Sequence, residues 1–403
     1  MAEKNLDFDT VIDRRNTNSI KYDFAARRGK PKGVLPLWVA DMDFRISSYI
    51  QEAVAKTAAH GIFGYSEARE GYFEAVSGWM RERHGWQVEE EWLVKTPGVV
   101  FALAHAVRAF TEPGDAVLIQ RPVYYPFSHV IEDNGRRIVD NTLVQDASGR
   151  YQMDFADFEE KIRREHVRLF FLCNPHNPVG RVWSREELER LGDICLRNHV
   201  VIVSDEIHAD FVFKGTHQVL ADLKEAYREI VVTCTAPSKT FNLAGLQVSN
   251  IFIPNPGLRK KFRRQMAASG YSQLNAVGLC ACEAAYRDGG EWYEAVKEYI
   301  RANISYTKTF VEAHIPGVRM TEPEGTYLVW LDLRELGLSP QEQENLIVNK
   351  AGLWLDGGAM FGETGRGFER INVACPRATL CEALTRLEAA VKEVTKLQKN
   401  QVC

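Results

Sequence analysis

Four short apolar runs constrain this chain more than anything else in it: Ala116-Val117-Leu118-Ile119, Leu169-Phe170-Phe171-Leu172-Cys173, Val200-Val201-Ile202-Val203 and Ile230-Val231-Val232-Thr233. Each has the length and the β-branched or aromatic content of a strand, and none alternates with polar residues. A strand with no polar face must be covered on both sides, as in a parallel sheet. Amphipathic segments lie between the runs. In one, Ser184-Arg185-Glu186-Glu187 is a capping box, serine and glutamate satisfying orphan helix amides reciprocally; Leu188, Leu191 and Cys195 follow at helical spacing. Strand, helix and strand in repetition predict an α/β domain with right-handed crossovers.

The last third of the chain reads differently. A helical stretch from about Glu291 to about Ala313 is followed by a strand at Thr326–Leu331, a helix opened by Ser339-Pro340, and a strand at Phe368–Val373. A final helix carries Leu380, Leu384, Leu387 and Val391 on one stripe. This pattern predicts a smaller α+β domain, joined by the N-terminal segment. The expected division is residues 1–48 for that segment, 49–295 for the large domain and 296–403 for the small one.

Charge and composition remove several classes. Fifty basic residues face fifty-four acidic ones, a net charge of −4, so no positive excess follows a nucleic-acid backbone. No repeat or low-complexity tract appears, and the apolar runs fall far short of the ~20 residues that span a bilayer. Acids stand near the N-terminus, in Met1-Ala2-Glu3-Lys4-Asn5-Leu6-Asp7, where a signal peptide needs an apolar core. The expectation is a soluble, cytoplasmic protein with neither nucleic-acid nor membrane partners. The eight cysteines (Cys173, Cys195, Cys234, Cys280, Cys282, Cys375, Cys381 and Cys403) are read as buried reduced thiols. Cys280-Ala281-Cys282 lacks zinc spacing and the histidines are scattered, so no metal is expected.

Three segments carry candidate chemistry, each placed at the carboxyl end of an apolar run, where open α/β sheets bind ligands. The first is Asn174-Pro175-His176-Asn177-Pro178-Val179-Gly180-Arg181, which ends its strand sharply and presents Asn177; it also suits an ordinary Pro/Gly loop. The second is Ser204-Asp205-Glu206-Ile207-His208. An acid after four buried aliphatics is costly to ionise unless a cation or donors meet it, and a protonated pyridine nitrogen is such a partner. Aspartate there equally suits a helix N-cap. The third is Thr235-Ala236-Pro237-Ser238-Lys239-Thr240-Phe241-Asn242, where Lys239 stands among small and apolar residues. Desolvation in such a place lowers an amine's pKa and makes it nucleophilic.

In this order the segments resemble the fold-type-I pyridoxal-phosphate enzymes of the class I/II aminotransferase superfamily, most closely its cystathionine β-lyase-like, MalY/PatB-type branch. Leu37-Trp38-Val39-Ala40-Asp41-Met42-Asp43-Phe44, Pro97-Gly98-Val99-Val100 and Phe368-Glu369-Arg370-Ile371-Asn372-Val373-Ala374-Cys375-Pro376-Arg377 extend the likeness from about residue 30 to the C-terminus. The resemblance implies an α/β fold with a large cofactor-binding domain, a mainly parallel central sheet and a smaller α+β domain. It implies pyridoxal 5′-phosphate as cofactor, with Lys239 as the amine that joins its aldehyde and later moves protons at Cα. Asp205 would keep the pyridine nitrogen protonated, Asn177 would bond the ring's phenolate oxygen, and Tyr124 would stack on the ring. His208 takes the place where aminotransferases of the superfamily commonly carry tyrosine, as in the lyase-like branch. Val99 and Val100, at a helix N-terminus, and Ser238 would hold the phosphate. Tyr65 matches a tyrosine that reaches the neighbouring subunit's phosphate, implying a homodimer with shared sites. Arg370 matches the arginine for the substrate carboxylate, whereas Arg377 is read as structural.

Two departures stand out. Gln247 occupies the position, eight residues after the lysine, where many aminotransferases place a phosphate-binding arginine. Arg45-Ile46-Ser47-Ser48 follows the Asp-Met-Asp-Phe motif where many relatives continue with proline. The activity implied is α,β-elimination from an amino-acid substrate, L-cystathionine or another cysteine S-conjugate, to pyruvate, ammonia and a thiol. Transamination shares every cofactor contact, and a lyase with an added regulatory protein-binding role is a third reading.

Overall fold

The four apolar runs form the middle of a seven-stranded sheet in the computed structural model, which describes residues 3–402 and their side chains through residue 396. Across the sheet the strands are Leu93–Thr96, Ser249–Phe252, Val231–Thr235, Val201–Asp205, Val167–Cys173, Ala116–Ile119 and Arg137–Asp140. Ser249–Phe252 pairs antiparallel with both neighbours, and every other pairing is parallel.

The lack of polar alternation has the expected cause. Along Val167–Cys173, Leu169 and Phe171 enter one apolar core while Phe170 and Leu172 enter another on the opposite face. Val99–Phe110 and Pro256–Ala268 cover the first face, with Leu103, Ala106 and Phe262 buried against it. Phe155–Arg164 and Arg185–Arg197 cover the second through Phe158, Ile162, Leu188, Leu191 and Cys195. The Ser184 capping box is present: Ser184 accepts from the Glu187 amide at 3.2 Å, and Glu187 accepts from the Ser184 amide at 2.8 Å.

Beyond the long helix Gly290–His314, a four-stranded antiparallel sheet runs in the order Arg319–Thr321, Leu328–Asp332, Phe368–Asn372, Asp356–Gly357. The helix opened by Ser339 spans Pro340–Glu344 and continues as a wider turn over Asn345–Lys350. The last helix, Arg377–Val402, buries Leu380, Leu384, Leu387 and Val391 completely. In the N-terminal segment, Leu35–Pro36 pairs parallel with Leu353–Trp354, and Trp38 stacks on Trp354 with centroids 4.3 Å apart. Five of the described cysteines are buried, but Cys280 and Cys381 are only partly covered, because each lies toward the rim of its helix's packed face. Cys403 lies outside the described residues. Among the described residues, no helix is long and apolar enough to cross a membrane.

Candidate active site

The carboxyl ends of three central strands, together with two strands of the smaller sheet, wall a cavity of about 210 Å³. Nine of the ten residues expected at the site line it: Val99, Val100, Tyr124, Asn177, Asp205, His208, Ser238, Lys239 and Arg370.

Asp205 is the last residue of its strand, in register with Cys173 and almost fully buried. No helix starts there, so the N-cap alternative fails. Its carboxylate instead accepts from the Ile207 amide at 3.2 Å, closing a tight turn. Burial raises its pKa to about 7; Glu206 adds to the rise, while the Ile207 amide and the Lys239 charge oppose it. A buried carboxylate with one weak donor is a site for a cation or a strong N–H donor.

Lys239 sits on the single helical turn Pro237–Thr240 and donates to the Ala40 carbonyl at 2.8 Å. Desolvation of its amine, reinforced by Arg370 and opposed by Asp41 and Asp205, lowers its pKa to about 8. The Leu37–Phe44 motif explains why that carbonyl is where it is. Buried Lys21 pairs with Asp43 at 2.8 Å, and Arg14 bridges Asp41 and Asp43, both at 2.7 Å. Asn242, just past the lysine, exchanges two hydrogen bonds with the Met42 backbone (2.9 and 3.0 Å), so the lysine loop and the motif are joined directly.

Arg370 donates through Nη1 to Asn177 Oδ1 at 2.9 Å and through Nη2 to the Trp38 carbonyl at 3.0 Å. It also pairs with Asp356. Asn177 accepts the Tyr124 amide at 3.0 Å through its backbone carbonyl, linking the tyrosine's loop to the same strand end. Burial pushes the Tyr124 phenol up, so it stays protonated. Burial also holds His208 neutral, its pKa well below the ordinary histidine range, and its Nδ1 has no hydrogen-bond partner among the described residues. Val99 and Val100 open the helix Val99–Phe110, whose first amides have no intrahelical acceptor.

Tyr65 is the exception: its side chain is fully exposed and lies outside the cavity lining. Gln247 is exposed in a left-handed turn and does not line the cavity either. Arg377 donates to Asn303 Oδ1 at 2.7 Å and stacks over Tyr306. Sequence reasoning missed Asp356, Tyr125 and Cys173 in the lining and the role of the Ala40 carbonyl. For Asp356 the only signal was an acid ending the apolar stretch Leu353-Trp354-Leu355, the pattern that had singled out Asp205.

One nucleophilic amine, two buried carboxylates (Asp205 and Asp356), a helix N-terminus and a guanidinium thus face one space. That set can hold a phosphorylated carbonyl compound with a basic ring nitrogen beside a carboxylate-bearing substrate. The model of the family described as aminotransferase class I and II matches residues 34–387. Cystathionine beta-lyase PatB of Bacillus subtilis (strain 168) is 45% identical over 387 residues, covering 96% of this chain and 100% of that protein. The crystal structure of cystalysin from Treponema denticola, which contains a pyridoxal 5′-phosphate cofactor, matches with a TM-score of 0.93 at 38% identity, over 96% of this chain and 99% of that one. The PLP-bound C-S lyase of Staphylococcus hominis matches at 0.88 and 33%, again over 96% and 99%. With the cavity built from the family's motifs and the likeness running nearly end to end, the chain belongs to the class I and II aminotransferase family.

Proposed function

We propose that this protein is a pyridoxal-phosphate-dependent carbon–sulfur β-lyase, acting on L-cystathionine or other cysteine S-conjugates to give pyruvate, ammonia and a thiol. The observation that carries this is the convergence of Lys239, Asp205 and Arg370 on one cavity in a chain 45% identical to a cystathionine β-lyase. The polar groups that line the cavity fit the cofactor. Asp205 has a single amide donor where a ring nitrogen needs an acceptor, and Ser238 with the Val99 and Val100 amides offers donors to a phosphate.

When bound, the cofactor supplies an electron sink for the charge left at Cα as the Cα–H bond breaks. Lys239, with an amine basic enough to take a proton yet free at mild alkaline pH, removes that hydrogen. Asp205 would hold the ring nitrogen in its protonated form, and Asn177 would donate through its side-chain Nδ2 to the ring oxygen while its Oδ1 keeps the Arg370 bond. Tyr124 would cover the ring. Arg370 takes the substrate's α-carboxylate and so fixes which Cα bond faces Lys239.

The Gly61–Tyr65 stretch supports a homodimer in which Tyr65 enters the other subunit's site. Ile62, Phe63 and Tyr65 are 74%, 63% and 102% exposed, a run of apolar and aromatic surface that one chain leaves uncovered. Mixing Lys239→Ala chains with Tyr65→Phe chains in equal numbers should restore about a quarter of wild-type activity, since half the dimers are hybrids with one complete site. No gain over either parent, with subunit exchange verified, would place Tyr65 in its own subunit's chemistry. The parallel pairing of Leu35–Pro36 with Leu353–Trp354 supports grouping residues 1–48 with 296–403 around a large domain of 49–295. A cytoplasmic location suits the unpaired thiols of the described cysteines.

Reaction choice has a direct test. Given L-cystathionine and no keto acid, the enzyme should release pyruvate, ammonia and thiol in equal amounts through many turnovers, because a Cβ thiolate is a competent leaving group. If turnover stops after one equivalent and resumes only with an added keto acid, the protein is an aminotransferase.

A further inference from the structure

Arg370 carries its own counter-anion. Asp356 and Arg370 are directly opposite one another on the antiparallel strands Asp356–Gly357 and Phe368–Asn372. The Asp356 carboxylate accepts from Arg370 Nη2, and both side chains are 4% exposed. The rest of the guanidinium is committed to Asn177 and the Trp38 carbonyl, apart from Nε, which has no partner among the described residues. Asp356 lines the same cavity as Arg370. The group assigned to the substrate's carboxylate is therefore already neutralised from within the substrate's own space.

A docked α-carboxylate sets two anions against one buried guanidinium. Carboxylates sharing such a place do not both stay ionised; one takes up a proton. We propose that Asp356 is that acceptor: as the α-carboxylate docks on Arg370, Asp356 takes one proton from solvent and becomes a neutral acid. The site then holds α-carboxylates less tightly as pH rises. This rests on the assignment of the α-carboxylate to Arg370.

The surroundings of Asp356 favour it. Arg370 faces it from the neighbouring strand, Lys30 from the N-terminal segment and the Tyr125 phenol from the other wall of the cavity. Lys30 is engaged by Glu344 and cannot turn wholly to Asp356. Burial already raises the Asp356 pKa, with Arg370 and Lys30 opposing, and a second anion acts in the same direction as burial. Glu369, next to Arg370 in sequence, is also raised, to about 8, chiefly by burial, with the Glu344 and Asp356 charges adding to the rise and Gln343 and Lys30 opposing it. It accepts from Gln343 at 2.7 Å and lines a different cavity, so it is not in the substrate's path.

Propionate, a carboxylate without an amine, tests this on the holoenzyme as a competitive inhibitor between about pH 6 and about pH 9, where it stays ionised. In wild type its inhibition constant should climb toward about tenfold per pH unit above the ionisation of Asp356. In Asp356→Asn that part of the slope should vanish, while titration of the cofactor-linked Lys239 stays common to both. Proton uptake on propionate binding, read with an indicator dye in weak buffer, should approach one per site in wild type and fall in the variant. Asp356→Ser serves the same comparison if the asparagine form does not load cofactor. Identical pH profiles and equal uptake in wild type and variant overturn the proposal. Arg370→Gln separates the two assignments: if propionate inhibits it as well as it inhibits wild type, the carboxylate is not at Arg370 and that assignment falls. If Arg370→Gln loses inhibition while wild type and Asp356→Asn share one profile, only the proton coupling falls.

Discussion

Replacing Lys239 with alanine is expected to lower pyruvate release from a cysteine S-conjugate by at least ~10³-fold, since one substitution removes both the amine that holds the cofactor and the base that works at Cα. The structure gives the reason that this lysine, among fifty basic residues, has that capacity. With its pKa lowered to about 8, chiefly by desolvation, the amine is about half neutral near pH 8, against well under a hundredth for an ordinary lysine. The Ala40 carbonyl, 2.8 Å away, holds it in place without a counter-charge in contact to keep it protonated. The variant should lose its cofactor on dialysis. Borohydride reduction of wild type followed by peptide mapping should put the cofactor on the peptide containing Lys239. A labelled peptide around any other lysine would defeat the assignment.

What the sequence disclosed about this site and what it hid divide along physical lines. Unbroken apolar runs declare burial on both faces because every residue of the strand must find an apolar neighbour, and Leu169 through Leu172 do so on alternate sides. The ends of such runs are also legible, since a polar residue there must have a purpose; Asn177, Asp205 and Lys239 were found that way. Boundaries were less so. Asp205 extends its strand because its backbone, not its side chain, continues the ladder beside Cys173, and local composition carries no trace of that. The pairing of Asp356 with Arg370 was hidden for a similar reason: it depends on the register of two strands in the smaller sheet, and a slip of one residue turns the side chain to the other face. The Ala40 carbonyl was invisible because any residue could supply it; the information lies in Lys21, Arg14 and the two aspartates that fix the backbone there. Tyr65 was suggested by resemblance alone, and the single chain leaves it in solvent.

Asp205→Asn should cost turnover on the order of 10²–10³-fold while leaving the cofactor bound. Asparagine has nearly the same size and can still close the turn to the Ile207 amide, so the fold around it should stand. It has no charge to stabilise a proton on the ring nitrogen, and an unprotonated ring is a poor acceptor for the electrons of the Cα–H bond. The loss should therefore fall on that bond's cleavage. With substrate deuterated at Cα, the isotope effect on kcat should grow in the variant, and KM should move much less than kcat. The buried setting accounts for the size of the effect. In water a carboxylate would be screened from the ring, whereas Asp205 is 4% exposed, has one amide donor at 3.2 Å and, before any cation meets it, is pushed up to about pKa 7 by burial. A partner cation gains more from such a carboxylate than from one that water already satisfies. Turnover within about threefold of wild type, with an unchanged isotope effect, would reduce Asp205 to the closure of a turn and remove it from the chemistry.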